Sequence, residues 1–249
     1  MCCVTMLGCG RHHTPYRAGV REANGVVISV AAWGPDSARL DHAVAAALDS
    51  AAAALAMLKD AVSPEFERLA LRANALARAS GGAYGPTGDR HTDLGELGRG
   101  FVLDRALAVL HGAADSAVIS SGGQYLIHSD WSGARVIGIV DPDNTLETLA
   151  RLIVPPGTWA VSLRSVAEAR DELRDPRTGK PATRTRVVAA MAPSAADAGG
   201  WSMAFYVVGC DSALVLAPRV HASVICADGD VRWTSDLDGR VTRDSMRER

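Results

Sequence analysis

Hydrophobic residues in the first half of the chain follow one strand-like run and then three helical patterns. The β-branched run over 25–33 predicts a strand, and apolar residues then recur at helical spacing from about 37 to 60. Proline after Ser63 and paired glycines at 81–82 are typical start and stop signals, so a second helix is predicted over 64–79. A third helix is predicted from about 98 to 111.

The second half has a different pattern, because short apolar runs separated by glycine, serine or aspartate predict strands. The runs 117–120, 125–128 and 135–140 indicate a meander of three neighbouring strands. A long apolar stretch over 195–208 predicts one more helix. Further strands are predicted at 147–154, 158–163, 186–191, 220–226 and 231–235, the last two joined by a tight turn.

These interleaved elements, with no repeat or low-complexity linker, predict a single α+β unit with antiparallel or mixed sheets and packed helices. We expect a flexible N-terminal segment over 1–21, a folded domain over 22–238 and a charged C-terminal tail over 239–249. Together these elements predict that one domain accounts for most of the 249 residues.

The composition narrows the class of protein without indicating its chemistry. Hydrophobic residues make up 48% of the chain, which excludes a disordered protein, and a net charge of −2 indicates no nucleic-acid partner. No stretch approaches about 18 apolar residues, so we expect no membrane span. Five scattered cysteines, an odd number without a C-x-x-C pair, argue against a disulfide framework and favour a cytoplasmic location.

Four segments at junctions between elements carry glycine and polar residues that can face a ligand. In 93–106, glycines at a helix start lie beside Arg99 in a way that suits phosphate, although an ordinary glycine-rich helix start explains them better. The segment 120–124 fits a hairpin turn better than a ligand contact. The segment 175–181 is a rigid polar turn, and Asp197 fits the capped start of a helix.

Taken together and in order, these segments resemble the FAD:protein FMN transferase family, the ApbE-type flavin transferases. Residues 93–104 are similar to the family's Asp-Leu-Gly-Gly-Ile-Ala-Lys-Gly-Tyr-Ala-Val-Asp pattern, and 121–124 to its Leu-Gly-Gly-Asp turn. The family's Asp-Pro-Arg-Thr-Gly stands unaltered at 175–179, and its Ala-Asp-Ala helix is similar to 196–209. The resemblance is collinear over roughly 22–235.

The resemblance implies a protein that binds FAD and magnesium and transfers FMN to a threonine or serine hydroxyl of a target flavoprotein, releasing AMP. The catalytic residues that it implies are Glu172, Asp175 and Thr178. The metal ligands that it implies are Asp197, the Gly98 carbonyl and Ser202. The cofactor-binding residues that it implies are Gly95, Arg99, Asp104, Ser121, Gly122, Gly123 and Arg177.

Three departures from the family pattern bear on this function. Met203 stands where the family has a metal-binding threonine, because Gly199 and Gly200 are additional, and Ser202 is the replacement hydroxyl. Glu172 stands in place of a histidine and could act as general base if burial raised its pKa. The loops after the first helix and before the first motif are shortened, and in the family these loops bind the nucleotide.

Two alternatives stay open on the sequence alone. A degenerate relative could bind a flavin or a nucleotide without cleaving it. A repurposed enzyme on the same scaffold could act on another small substrate, with Glu172, Asp175 and either His128 or His91 as acid–base groups.

Overall fold

The computed structural model describes residues 14–59, 63–85, 94–130, 135–166 and 173–244. The described helices are α1 (Ser37–Met57), α2 (Pro64–Ala79), α3 (Gly95–Leu110), α4 (Ala195–Val208) and α5 (Cys210–Leu216). Side-chain caps fix where the first two begin, because Asp36 accepts the Ala38 N–H and Ser63 accepts the Phe66 N–H. α3 begins three residues before the predicted start.

The described strands form two antiparallel sheets, which confirms the α+β class. The strands of the large sheet are β1 (Tyr16–Ala23), β2 (Val26–Trp33), β3 (Ser116–Ser121), β4 (Gln124–Ser129), β7 (Gly157–Ser165), β8 (Val187–Ala192), β9 (Ser223–Ala227) and β10 (Val231–Trp233), neighbours in that order. The small sheet has the order β11 (Val241–Arg243), β6 (Thr148–Val154) and β5 (Arg135–Val140).

The large sheet lies between the helices and the small sheet, so the domain has three layers. On one face, α1, α3 and α4 pack on inward residues such as Ile28 and Ile119. On the other face, Ile137 and Leu152 of the small sheet pack on residues such as Val161. β8 and β9 are buried along their whole length because both of their faces are covered.

The predicted meander is wrong in its third strand. β3 and β4 form a hairpin, but β4 continues the large sheet through β7, and β5 pairs with β6 in the small sheet. The apolar pattern of 135–140 shows a strand, but not that this strand leaves the large sheet and pairs with the next strand, β6, in a second sheet.

Both ends of the domain extend further than the sequence indicates. β1 includes residues 16–21, which the sequence predicts to be flexible, and β11 lies within the predicted tail. Arg17 and Arg21 face α1, where they form ion pairs with Asp41 and Asp49. These inward arginines break the apolar alternation by which a strand is recognised.

The longest helix, α1, qualifies the expectation that the chain has no membrane span. By length and mean hydropathy, which is 1.3, this helix could cross a membrane. Core helices pass the same test, and here Leu40, Val44 and Leu48 are buried against the sheet and α3. We therefore describe α1 as a core helix.

A disulfide joins Cys210, at the start of α5, to Cys226 in β9, with Cα atoms 5.8 Å apart. The expectation of no disulfide is wrong for this pair, because sequence spacing does not show which cysteines a sheet and a helix bring together. The cytoplasmic location, which relied on the cysteine pattern, stays a prediction.

Candidate active site

Two helices of the predicted site, α3 and α4, approach closely enough for backbone contact. A Cβ at Gly100 would overlap the Ala195 carbonyl, and a Cβ at Gly199 would overlap the Glu96 carbonyl. Only glycine leaves room for this approach. The contact brings the first and fourth motifs together.

Asp104, from α3, caps the N-terminus of α4. Its two carboxylate oxygens accept hydrogen bonds from the Ala195 and Ala196 N–H groups, at 2.8 and 3.1 Å. Burial raises the pKa of Asp104 to about 6, and the two N–H donors only partly oppose this rise. The carboxyl group therefore titrates just below neutral pH while it fixes one helix against the other.

The Asp197 carboxylate, in the first turn of α4, is engaged by protein groups at both oxygens. Arg72 of α2 donates from Nε to Oδ1 at 2.8 Å, and its Nη2 contacts Oδ2. The Ser194 hydroxyl donates to Oδ2 at 2.9 Å. Ser194, rather than Asp197, is the N-cap, because its Oγ accepts the Asp197 N–H.

Glu96 lies at the centre of a buried polar network in the first turn of α3. Its carboxylate contacts Arg164 of β7, and its Oε1 lies 2.7 Å from Nη1 of Arg99. Gln124 of β4 donates to Oε2 at 2.6 Å and to the Glu96 carbonyl at 2.8 Å. The network thus connects the helical layer to the large sheet.

The turn between β3 and β4 lies against this network. Gly122 and Gly123 have φ values of 51° and 81°, in the left-handed region that favours glycine. Arg99 donates to the Gly122 carbonyl at 3.4 Å, and Ser121 is buried beside the turn. The hairpin turn that the sequence favours is confirmed, and it also contacts the first motif.

The Asp-Pro-Arg-Thr-Gly loop is held by its own aspartate. Asp175 accepts hydrogen bonds from Nε and Nη2 of Arg177, at 2.8 and 2.7 Å. These bonds hold the pKa of Asp175 below its ordinary value. The Thr178 N–H donates to the Asp175 carbonyl at 3.1 Å. The loop packs on the segment after α2, where a Cβ at Gly85 would lie 2.8 Å from Pro176 Cβ.

The site residues on and around α3 form two groups. Gly95, Arg99 and the β3–β4 turn lie at its first turn, whereas Asp104 meets α4 further along. Eight residues separate Glu96 from Asp104, which corresponds to about 12 Å of helix. The two groups therefore lie within the span of an extended ligand such as a dinucleotide.

Several predicted residues lie away from these groups or outside the described residues. Glu172 and His91 lie outside the described residues. His128 lies four residues along β4 from Gln124, about 13 Å away, and its Nδ1 lies 2.9 Å from the Thr158 hydroxyl. A cavity of about 480 Å³ lies between the end of α2 and α5, and no predicted site residue lines it.

The implied magnesium ligands do not fit a metal site in this geometry. Both Asp197 oxygens already accept hydrogen bonds from Arg72 and Ser194. Ser202 is fully buried, and its hydroxyl lies 2.9 Å from the Ser162 hydroxyl and donates to a helix carbonyl. Within the described ranges, no group of three or more His, Cys, Asp or Glu residues is placed to hold a metal ion.

The helix geometry places Trp201, rather than Met203, one turn after Asp197. α4 runs without interruption from Ala195 to Val208, so Gly199 and Gly200 are part of the regular helix. The residue one turn after Asp197 is therefore Trp201, and Met203 lies on another side of the helix. An indole N–H can only donate a hydrogen bond, so Trp201 cannot bind a cation through it.

Four polar residues of the site were not predicted from the sequence: Arg72, Glu96, Gln124 and Arg164. Arg72 lies in a helix with two other arginines, and Arg164 lies in an apolar strand. No spacing pattern marks either of them. Glu96 lies in the segment 93–106, and Gln124 lies in the segment 120–124. The signal that could have identified Glu96 is a carboxylate in a mostly apolar helix start.

Comparison with known proteins agrees with the sequence motifs. The chain matches the ApbE family over residues 87–226, which is more than half of its length. It is 28% identical, over 142 residues, to the FAD:protein FMN transferase of Buchnera aphidicola subsp. Schizaphis graminum. That match covers 53% of this chain and 42% of the relative, so the chain spans less than half the length of that protein.

Solved structures share the fold at low sequence identity. The ApbE protein from Thermotoga maritima has a TM-score of 0.73 at 18% identity, covering 90% of this chain and 99% of that one. The flavin transferase ApbE from Vibrio cholerae has a TM-score of 0.71 at 14% identity, covering 91% and 99%. The arrangement of layers described above is therefore that of these proteins.

Proposed function

Because the chain belongs to the ApbE family, we propose that it binds FAD and transfers FMN to a threonine or serine hydroxyl of a target flavoprotein. In this reaction the hydroxyl oxygen bonds to the phosphorus on the FMN side of the diphosphate. The bond from that phosphorus to the bridging oxygen breaks, and AMP leaves with the bridging oxygen. The hydroxyl proton passes to a base on the protein.

One observation carries the proposal: three of the four segments meet at α3, and the fourth packs on the segment after α2. The α3 glycines contact α4, Arg99 contacts the β3–β4 turn, and the Asp-Pro-Arg-Thr-Gly loop packs on the segment after α2. Glycines that allow close backbone approach and arginines that can bind phosphate suit a dinucleotide. This convergence of glycine-bearing polar segments at α3 is the feature that a ligand site would explain.

The proposal gives each group of residues a role. Arg99 and the turn glycines contact the flavin side of the ligand, and Arg177 contacts the diphosphate. Asp175 keeps Arg177 in place, since its lowered pKa leaves it ionised at neutral pH and poorly suited to accept a proton. Glu172 remains the predicted general base. No step is assigned to magnesium, because the implied ligands do not fit it.

A second function, FAD binding without transfer, is favoured by one specific observation. The Asp197 carboxylate, which the resemblance assigns to the metal, is neutralised by Arg72 instead. A site that lost its catalytic cation could still hold the cofactor. The two functions differ in one product, because only transfer releases AMP.

The test incubates the purified chain with FAD, magnesium and a flavoprotein that bears an acceptor threonine. Transfer predicts AMP in solution and covalent flavin fluorescence on the acceptor after denaturation. Tight FAD binding without AMP would support the second function. No FAD binding at all would contradict both.

The matched variants are Asp175→Asn and Asp230→Asn. Asp175→Asn removes the charge that orients Arg177, so we expect AMP release to fall at least about tenfold, as displaced catalytic groups do. Asp230 is an exposed turn residue, and its variant should retain full activity. Equal rates of AMP release in the two variants would show that the Asp-Pro-Arg-Thr-Gly loop is not part of the reacting site.

A further inference from the structure

Arg72 supplies a positive charge next to the Asp197 carboxylate. A guanidinium group binds a carboxylate through paired N–H donors, and here Nε and Nη2 of Arg72 contact Oδ1 and Oδ2 of Asp197. Arg72 Nη2 also donates to the Ser194 hydroxyl at 2.9 Å. The arginine is therefore fixed by two residues of the α4 N-terminus.

The surroundings of this pair leave few ligands for a metal ion. The carboxylate oxygens of Asp104 accept the Ala195 and Ala196 N–H groups. One turn along α4 from Asp197 stands Trp201, whose side chain carries no oxygen. Mg²⁺ requires near-octahedral oxygen ligands, and the first turn of α4 does not supply them while Arg72 is in place.

We propose that Arg72 takes the place of a divalent cation at Asp197, so that the positive charge of this site belongs to the protein and is always present. The Arg72 side chain is 40% exposed, and Nη1 makes no hydrogen bond to the described residues. The guanidinium thus keeps a donor that a phosphate oxygen can use. The inference rests on the proposed function only for the identity of the ligand.

The test measures Mn²⁺ binding to the full chain by electron paramagnetic resonance, with no flavin present. Mn²⁺ is a suitable probe because it accepts the same oxygen ligands as Mg²⁺. We expect the same Mn²⁺ titration curve for the wild-type protein and for Asp197→Asn. One bound Mn²⁺ per wild-type chain that is lost in Asp197→Asn would overturn the proposal.

A second arm removes the guanidinium. Arg72→Gln removes the ion pair of Asp197 and leaves its carboxylate close enough to that of Asp104 for the two charges to interact. This variant should therefore bind one Mn²⁺ where the wild type binds none. The double variant Arg72→Gln with Asp197→Asn should lose that ion. The control is Arg68→Gln, one turn earlier on α2, since among the described residues Arg68 pairs only with Glu65, at the surface.

Each outcome decides the question. If Arg72→Gln folds and binds no Mn²⁺, Arg72 does not occupy a cation position and the proposal is wrong. If Arg72→Gln does not fold, the comparison of the wild type with Asp197→Asn still tests the proposal. Failure of FMN transfer would leave both arms unaffected, because neither contains FAD.

Discussion

At the scale of single residues, Asp104 has a structural role that its motif does not indicate. The residue closes the first motif, and its carboxylate caps a helix that begins about ninety residues later in the sequence. Capping bonds of this kind typically contribute about 1 kcal/mol each. Burial opposes this contribution, because it raises the pKa of the group to about 6.

The raised pKa makes the stability of the protein depend on pH. A carboxyl group whose folded pKa is about 6 and whose unfolded pKa is about 4 contributes most below pH 4 and loses that contribution as the pH rises through 6. The wild-type free energy of unfolding, minus that of Asp104→Asn, should therefore fall by about 2 kcal/mol between pH 4 and pH 7. Urea denaturation of both proteins measures this, and parallel pH curves would contradict it.

The site residues differ in how far the sequence could predict them. Arg99, Gly122, Asp175 and Asp197 stand in ordered motifs, so their order along the chain identified them. Arg72 could not be found this way, because an arginine in an amphipathic helix looks like a solvated one until the partner that faces it is known. Its partner stands on another helix, more than a hundred residues away.

At the scale of elements, the packing of α3 against α4 depends on glycines at the contact. Gly100 lies mid-helix, where alanine is the better helix former. Any loss of stability on substitution must therefore come from the contact with α4. Substitution by alanine therefore separates the effect of packing on stability from the effect of helix propensity more cleanly than a larger side chain would.

Gly100→Ala should lower the free energy of unfolding by at least about 2 kcal/mol, because the new Cβ overlaps the Ala195 carbonyl. The control is Gly229→Ala, where a Cβ meets nothing within 4 Å. Chemical denaturation of both variants measures the difference. A neutral or stabilising Gly100→Ala would mean that the helices separate at little cost.

The helices were the most predictable elements, since α2 and α4 have the boundaries that their apolar patterns and start signals indicate. β1 was missed although Asn24-Gly25 is a strong hairpin signal, and both residues have positive φ. β11 has three residues, too few for an alternating pattern. β5 pairs with the next strand, β6, but the sequence pattern does not show that this pair forms a second sheet, because that depends on packing between the sheets.

At the scale of the whole molecule, Glu96 joins the helical layer to the large sheet. Its carboxylate is 9% exposed and contacts Arg164 of β7, while Gln124 of β4 donates to it. Breaking a buried ion pair is costly because it leaves charge in a place with little water.

We expect Glu96→Ala to lower the free energy of unfolding by about 3 kcal/mol. Glu65→Ala, which removes the surface pair with Arg68 on α2, should cost less than about 1 kcal/mol. Urea denaturation of the two variants at neutral pH provides the comparison. Equal losses would show that the Glu96 network does not hold the layers together.

The position of β11 also has a consequence for how the chain assembles during synthesis. β6 is made well before its partner β11, because Leu152 pairs with Val241 much further along the chain. Leu237 and Val241 complete the core between the sheets, so that core stays open until these two residues leave the ribosome. Such long-range pairing slows folding. The nascent chain must therefore keep the edge of β6 from pairing with other strands until β11 emerges.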